Sequence, residues 1–405
     1  MADLLYPRDH LQEALKRRAP KWLGNPRLVQ VVGELLDLLF FASLSTEEGS
    51  ATRVQVVVSP GKPLQDVEDS SEYLGSDVPR QQAWSVLPLK PQRLDLEALV
   101  KLSVVTEPGR TAVVLEHEES SGWQAVGIAK LNTSTNGGNV LFLSTTAPGA
   151  LSLVYAGTEI MRYERGQLAK PAPDIFISDG VVRSTIRQSL GDLLSGETNR
   201  ILMPSRIGEH VFERLVRGMR ATGRGGLILV QPTPSLDSQQ DMPKLVLTEP
   251  DILADKSRNL FEAIERGLGV AFRDDELGRN DEWDEAMSLR EWAQSEVDSL
   301  SDDIARLTAM DGALLLGPNL RVFGAGYKVS SSHTLPLYEA FDATGQSVSP
   351  VEYPLEIHGT RHRAAASFVA STGGFAFVAS EDGPIKCLIR EQGRILFWRV
   401  RFPEI

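Results

Sequence analysis

The chain has 405 residues and a formal net charge of −12, with 42% hydrophobic and 24% charged residues. This length can hold two or three globular cores, and the acidic balance argues against a nucleic-acid backbone as partner. Cys387 is the single cysteine, which excludes an intrachain disulfide and a cysteine metal cluster.

Residues 1–45 predict helices. An amphipathic run begins at 11–16 and Pro20 stops it; a second, with leucine and valine at helical spacing, covers 28–44. Residues 35–44 are too short to cross a bilayer and are broken by Asp37. The start carries no basic segment followed by an apolar core, so a cytoplasmic chain without a membrane partner is expected. Arg53-Val54-Gln55-Val56-Val57-Val58 predicts a strand. Prolines at 60, 63, 79, 88 and 91 predict long loops around one strand at 84–89. A helix is predicted over 94–104, then strands at 111–116, 123–129, 139–143 and 148–157. A Ser120-Ser121-Gly122 turn joins the first pair, and 111–168 predict an antiparallel sheet. The Lys-Pro-Ala-Pro-Asp tract at 170–174 predicts a turn or linker.

Further on, Ile207, Val211, Leu215 and Met219 fall at four-residue spacing and predict a helix over 207–221. Gly223-Arg224-Gly225-Gly226 ends it, and 227–230 predict a buried strand. Residues 231–256 read as loop-rich. Trp283, Met287, Trp292, Val297, Leu300, Ile304 and Leu307 predict one or two helices over 281–309, with the many acidic residues on a solvated face. The expected organisation is an α+β domain at 1–175, a linker at 176–204 and an α/β domain at 205–405.

Three motifs in that last region carry chemistry. Asp311-Gly312-Ala313 opens a hairpin pattern whose strands flank Gly317-Pro318-Asn319. The aspartate could hold a divalent cation, although an Asp-Gly alone is usually a turn. Gly359-Thr360-Arg361-His362-Arg363-Ala364-Ala365 sets two guanidinium forks at the start of a predicted helix, a pattern suited to phosphate oxygens. Ser380-Glu381 follows a buried strand pattern at 374–379. Apart from a loose His358/His362 pair, the six histidines show no metal-ligand spacing on a helix, and neither a P-loop nor a Gly-x-Ser-x-Gly elbow occurs.

In this order the three motifs resemble the diadenylate cyclase (DAC) domain family, and in particular its divergent, sensor-like branch; the resemblance runs from about residue 200 to 405. It implies an α/β fold with a twisted mixed sheet flanked by helices. It also implies binding of ATP or a related adenine nucleotide through Gly312, Ala313, Gly359, Thr360, Arg361, His362, Arg363, Ser380 and Glu381. In active members two ATP condense to cyclic di-AMP with release of pyrophosphate. Asp311, Arg361 and Arg363 would then be the catalytic residues, and Asp311 and Glu381 would hold Mg²⁺ or Mn²⁺. Two sites work face to face, so a homodimer or higher homo-oligomer is expected. One departure is the long link at 327–358, with Ser330-Ser331-Ser332-His333 inside it. It could close over the nucleotide or block the pairing. Three readings stay open: a cyclase, a catalytically silent nucleotide sensor in bacterial nucleotide signalling, and a scaffold whose Arg-His-Arg pairs with the acidic helix.

Overall fold

The structure is a computed structural model. It describes residues 6–18, 26–47, 50–59, 64, 84–106, 111–131, 140–155, 158–164, 166–169, 173–176, 178–191, 193, 203–232, 242–271, 281–329, 335–355, 359–379 and 384–400. Two compact units result, Met1–Pro171 and Ala172–Arg401. The first is a mixed α+β domain, and the second is built on a twisted mixed sheet flanked by helices.

The first unit begins with helices α1 (Pro7–Arg18) and α2 (Pro26–Ser43) and a short ribbon of β1 (Thr46–Glu47) and β2 (Ser50–Ala51). Then come β3 (Gln55–Val58), β4 (Trp84–Arg93), α3 (Leu96–Leu102), β5 (Thr111–Glu118) and β6 (Gly122–Leu131). The unit closes with β7 (Leu141–Ala147), β8 (Ala150–Tyr155), β9 (Thr158–Glu164) and β10 (Gln167–Leu168). The sheet order is β10-β9-β8-β7-β3-β5-β6-β4. Successive side chains of a strand leave by opposite faces. Val56, Val113, Leu115, Leu143 and Leu153 accordingly pack with Leu35, Leu36 and Leu39 of α2, while Val57, Val114, Phe142 and Val154 pack with Trp84 on the other face. The predicted sheet at 111–168 is antiparallel within itself. It is not self-contained, because β3 inserts between β5 and β7 and runs parallel to β5. The strand predicted at 84–89 continues to Arg93 through Pro88 and Pro91. This is possible because β4 is the outermost strand, where a missing N–H breaks no ladder on its outer side. The loops predicted between 65 and 83 lie outside the described residues.

The second unit contains α4 (Val181–Leu190), α5 (Met203–Ala221), β11 (Gly226–Val230), β12 (Leu245–Val246), α6 (Ile252–Ala271) and α7 (Asp281–Arg306). They are followed by β13 (Ala313–Leu316), β14 (Val322–Tyr327), β15 (Leu337–Glu339), α8 (Thr360–Thr372), β16 (Phe375–Ala379), β17 (Ile385–Glu391) and β18 (Arg394–Val400). The sheet order is β12-β14-β13-β11-β16-β17-β18-β15, with β11/β13 and β15/β18 parallel and the remaining pairs antiparallel. Both faces are covered, so β11, β13 and β16 are continuous apolar runs. Leu227, Leu229, Ala376 and Val378 meet Ala365, Ala366, Phe368 and Val369 of α8. On the opposite face the rings of Phe375 and Phe377 lie 5.6 and 6.3 Å from Phe212 of α5.

Helix α7 is tied to α5 by His210–Asp298 (2.7 Å) and Arg214–Asp302 (2.5 Å), and to α6 by Lys256–Glu296 (2.7 Å). Several carboxylates of the predicted acidic face are therefore interhelical partners. Two other expectations change. Part of the segment 176–204 is helix α4, whose Arg183 pairs with Glu209 of α5 at 2.6 Å. The long link 327–358 is woven into the sheet. It supplies β15, Ala340 bridges Val348, and Tyr353 N–H donates to Leu337 O at 2.7 Å. The Asp342 carboxylate accepts from the N–H groups of Thr344, Gln346 and Ser347, and Trp398 Nε1 donates to Asp342 O at 2.8 Å. Residues 330–334 and 356–358 of the link lie outside the described residues.

Candidate functional site

Helix α8 begins where Gly359 turns the chain, with no side chain capping its first N–H groups. Gly359 O accepts from His362 N at 3.1 Å and Arg363 N at 3.4 Å, which closes the first turn. Ala364, Ala365 and Ala366 favour helix, and Gly373 ends it in the left-handed region at φ +69°. The apolar face must point into the sheet, and this sets the orientation of the motif. His362 is buried, Arg361 is half-buried, and Thr360 and Arg363 are exposed. Residues two apart on a helix leave on different flanks, so Arg361 and Arg363 bracket the turn rather than form one fork.

His362 meets a side chain that sequence reasoning did not single out. Its Nε2 lies 3.3 Å from Nζ of Lys386 on β17, and that Nζ also donates to the Tyr353 hydroxyl at 2.5 Å. The Lys386 ammonium sits over the Tyr353 ring at 4.4 Å and near the Phe397 ring at 5.4 Å, a cation–π arrangement. Lys386 is only 6% exposed. Burial first, then the Arg399 guanidinium, bring its pKa down from 10.5 to about 8, with Glu339 opposing. Glu339 is held by Arg399, with Nε 2.6 Å from Oε1 and Nη2 donating to Oε2 at 3.0 Å. Burial also raises the Tyr353 hydroxyl above its usual 10. Lys386 escaped notice because it sits in an alternating strand-like run, where a charged residue reads as the solvent-facing one. The one signal was its place five residues beyond Glu381.

Asp311 and Gly312 precede β13. Gly312 has φ +115°, and a Cβ there would lie 2.6 Å from the Gly326 carbonyl carbon; β14 therefore runs against the backbone at this point. The Asp311 side chain is 85% exposed, with Oδ2 3.6 Å from Lys244 Nζ.

Register brings these motifs to one end of the sheet. Gly226 pairs with Ala379, Ile228 with Leu314, and Val378 with Lys386. Asp311, the end of β16 and the start of β17 thus share that end, and the Lys386–His362 contact places the first turn of α8 there too. From β13 to β17 is three ladder steps, roughly 14 Å. Ser380 and Glu381 follow β16 but lie outside the described residues.

Glu381, the second expected metal ligand, lies outside the described residues. Among them no three His, Cys, Asp or Glu side chains gather, and the Asp311 carboxylate faces an ammonium. Among the described residues around the first turn of α8 the charge is mainly cationic: Arg361, Arg363, Lys386 and Arg399, against Glu339. The arrangement can bind an anion through guanidinium groups and helix N–H groups. Among the described residues no helix is long and apolar enough to cross a membrane.

No curated protein and no solved structure matches the chain. A family model described as "Probable sensor domain DACNV" matches residues 26–130. The matched stretch runs from α2 into β6 of the first unit, whereas the motif resemblance lies in the second. The match likens residues 26–130, about a quarter of the chain, to that sensor family.

Proposed function

We propose that the protein is a nucleotide-responsive sensor whose second unit binds ATP or a related adenine nucleotide at the first turn of α8. The observation that carries this reading is the uncapped start of α8 bracketed by Arg361 and Arg363, with buried Lys386 beneath it, in a chain of net charge −12. Phosphate oxygens would accept from both guanidinium groups and from the first N–H groups of the helix. The DAC-like sensor match at 26–130 supports assigning signal input to the first unit. Assignment to the cytoplasm and self-association belong to the same reading.

A cyclase that joins two ATP into cyclic di-AMP is the second reading. It is favoured by the shared sheet end of Asp311-Gly312-Ala313 and the α8 turn. The Asp311–Lys244 contact weighs against it, because it offers the carboxylate an ammonium in place of a metal.

Isothermal titration of ATP into wild type, Arg361→Ala and Arg363→Ala tests the binding. Each charge-assisted hydrogen bond is worth roughly 1.5–3 kcal/mol, so each variant should bind about tenfold more weakly or worse. Equal affinities in all three proteins would refute the assignment. Incubating ATP-binding protein with Mg²⁺ or Mn²⁺ and separating the products distinguishes the readings. Cyclic dinucleotide establishes the cyclase, and unchanged ATP supports the sensor.

A further inference from the structure

Lys386 is a buried amine whose two hydrogen-bonding partners, a phenol and an imidazole, are not carboxylates. It donates to Tyr353 Oη at 2.5 Å, and its Nζ lies 3.3 Å from His362 Nε2. Where the Lys386 ammonium donates to the ring, Nε2 of His362 is the acceptor. The groups facing the amine come from every element packed around it. Tyr353 lies on the segment before α8, and His362 on α8. Arg399 and Phe397 come from β18, Glu339 from β15, and Val378 is its pairing neighbour on β16. The carboxylate of that set, Glu339, is engaged by Arg399 through two guanidinium nitrogens. Among the described residues no carboxylate forms an ion pair with Lys386. A buried ammonium in that position lacks negative charge, which is why the neutral amine is within reach at mildly alkaline pH.

The missing charge has an obvious source. His362 stands between Arg361 and Arg363, so the Lys386 amine touches the turn that would receive the phosphates. We propose that Lys386 is a positioning residue which holds the first turn of α8 through His362 and takes up a proton when an anionic ligand docks there. This rests on the anion-binding reading of Arg361 and Arg363. The anion adds negative charge to what Glu339, already held by Arg399, gives Lys386, so the protonated amine is more favoured in the complex than in the free protein. Binding and protonation are linked and therefore reciprocal. Where the free protein holds the neutral amine, at and above about pH 8, docking must draw a proton from solvent. Affinity then falls as pH rises. Below that range the amine is protonated in both states and affinity is insensitive to it. Lys386 needs no contact with the ligand for this, because it acts through His362 and through the shared field.

The test is ATP titration calorimetry on the full chain at pH 7.5, 8.5 and 9.5, above the range in which a terminal phosphate titrates. Wild type should lose about five- to tenfold in affinity across that range, since tenfold corresponds to one pKa step between free and bound states. At pH 8.5 its apparent binding enthalpy should differ between Hepes and Tris buffers, because a proton is taken from the buffer. Lys386→Met should bind with an affinity flat in pH and an enthalpy independent of buffer. Lys386→Arg carries a permanent charge in the same place and should also be flat, so the test survives if the methionine variant fails to fold. A merely structural lysine would change affinity without changing its pH slope. Wild type that binds ATP with no pH slope and no buffer dependence overturns the inference and leaves the ATP reading standing. So does a folded variant that keeps the wild-type slope. Wild type that binds no ATP at pH 7.5 overturns both.

Discussion

Gly312 and Gly373 both have positive φ, at +115° and +69°, yet replacing them by alanine should have very different consequences. At Gly373 a Cβ meets nothing within 4 Å. Gly373→Ala therefore carries only the backbone term, about 1 kcal/mol for an L-residue in the left-handed region at a helix end. At Gly312 the added Cβ would lie 2.6 Å from the Gly326 carbonyl carbon and 2.8 Å from both Gly326 Cα and Tyr327 O. All three atoms are backbone of β14, paired to β13 at Ala313–Tyr327, so no side chain can swing away. Overpacking a site that cannot relax adds roughly 1–3 kcal/mol. Gly312→Ala should then destabilise the second unit by about 3 kcal/mol, against about 1 for Gly373→Ala. Urea unfolding of the two variants and wild type, followed by circular dichroism, measures the difference. Equal losses in the two variants would show that β14 is not held against Gly312 and would undo the account of how Asp311 is placed.

Two further outcomes follow from the same packing. Phe377 is fully buried, with ring contacts to Phe176 at 5.9 Å and Phe212 at 6.3 Å; Phe377→Ala should lower stability by about 3–5 kcal/mol in denaturant unfolding. Burial pushes the Asp298 carboxyl up, but the hydrogen bond and charge of His210, the charge of Arg214 and the Gln294 hydrogen bond outweigh it, and its pKa falls below the usual 3.8. A carboxyl lowered in the folded state contributes stability above pH 3.8, and that contribution is lost as pH falls through the folded value. Asp298→Asn should therefore be less stable than wild type at pH 7, by about 3 kcal/mol for a broken buried pair. The gap should narrow below pH 4 in acid unfolding curves; a gap constant from pH 7 to pH 3 would contradict the assignment.

The fold was legible wherever local pattern and tertiary demand agreed. The Ala313–Leu316 and Val322–Tyr327 strands around Gly317-Pro318 follow from apolar runs and turn chemistry, and helix α5 from the spacing of Ile207, Val211, Leu215 and Met219. It was illegible where pairing is distant. Nothing near Val56 announces that Val113 and Leu143 will flank it. Leu337–Glu339 is too short and too polar to read as a strand until β18 presents a free edge. For the candidate site, the motif at 359–365 announced a helix start with cationic side chains. It did not announce which of them turns inward. That is decided by the apolar face of α8, which carries His362 under the turn, and by a sheet covered on both sides, which buries Lys386 where an exposed sheet would have left it in water.

The sheets end in guarded margins. In the second unit β12 has two residues and β15 has three, so an extended segment from another molecule would find almost no ladder to extend. In the first unit β10 has two residues, and β4 carries Pro88, Pro91, Lys90 and Arg93 along its outer run. Short strands, prolines and charge at an edge are the recognised defences against edge-to-edge polymerisation. Among the described strands, fusion of two copies' sheets into one is therefore disfavoured. Any pairing of copies would then have to use side-chain surfaces, which a bound ligand or a moved proton can alter, whereas a continuous backbone ladder would ignore both.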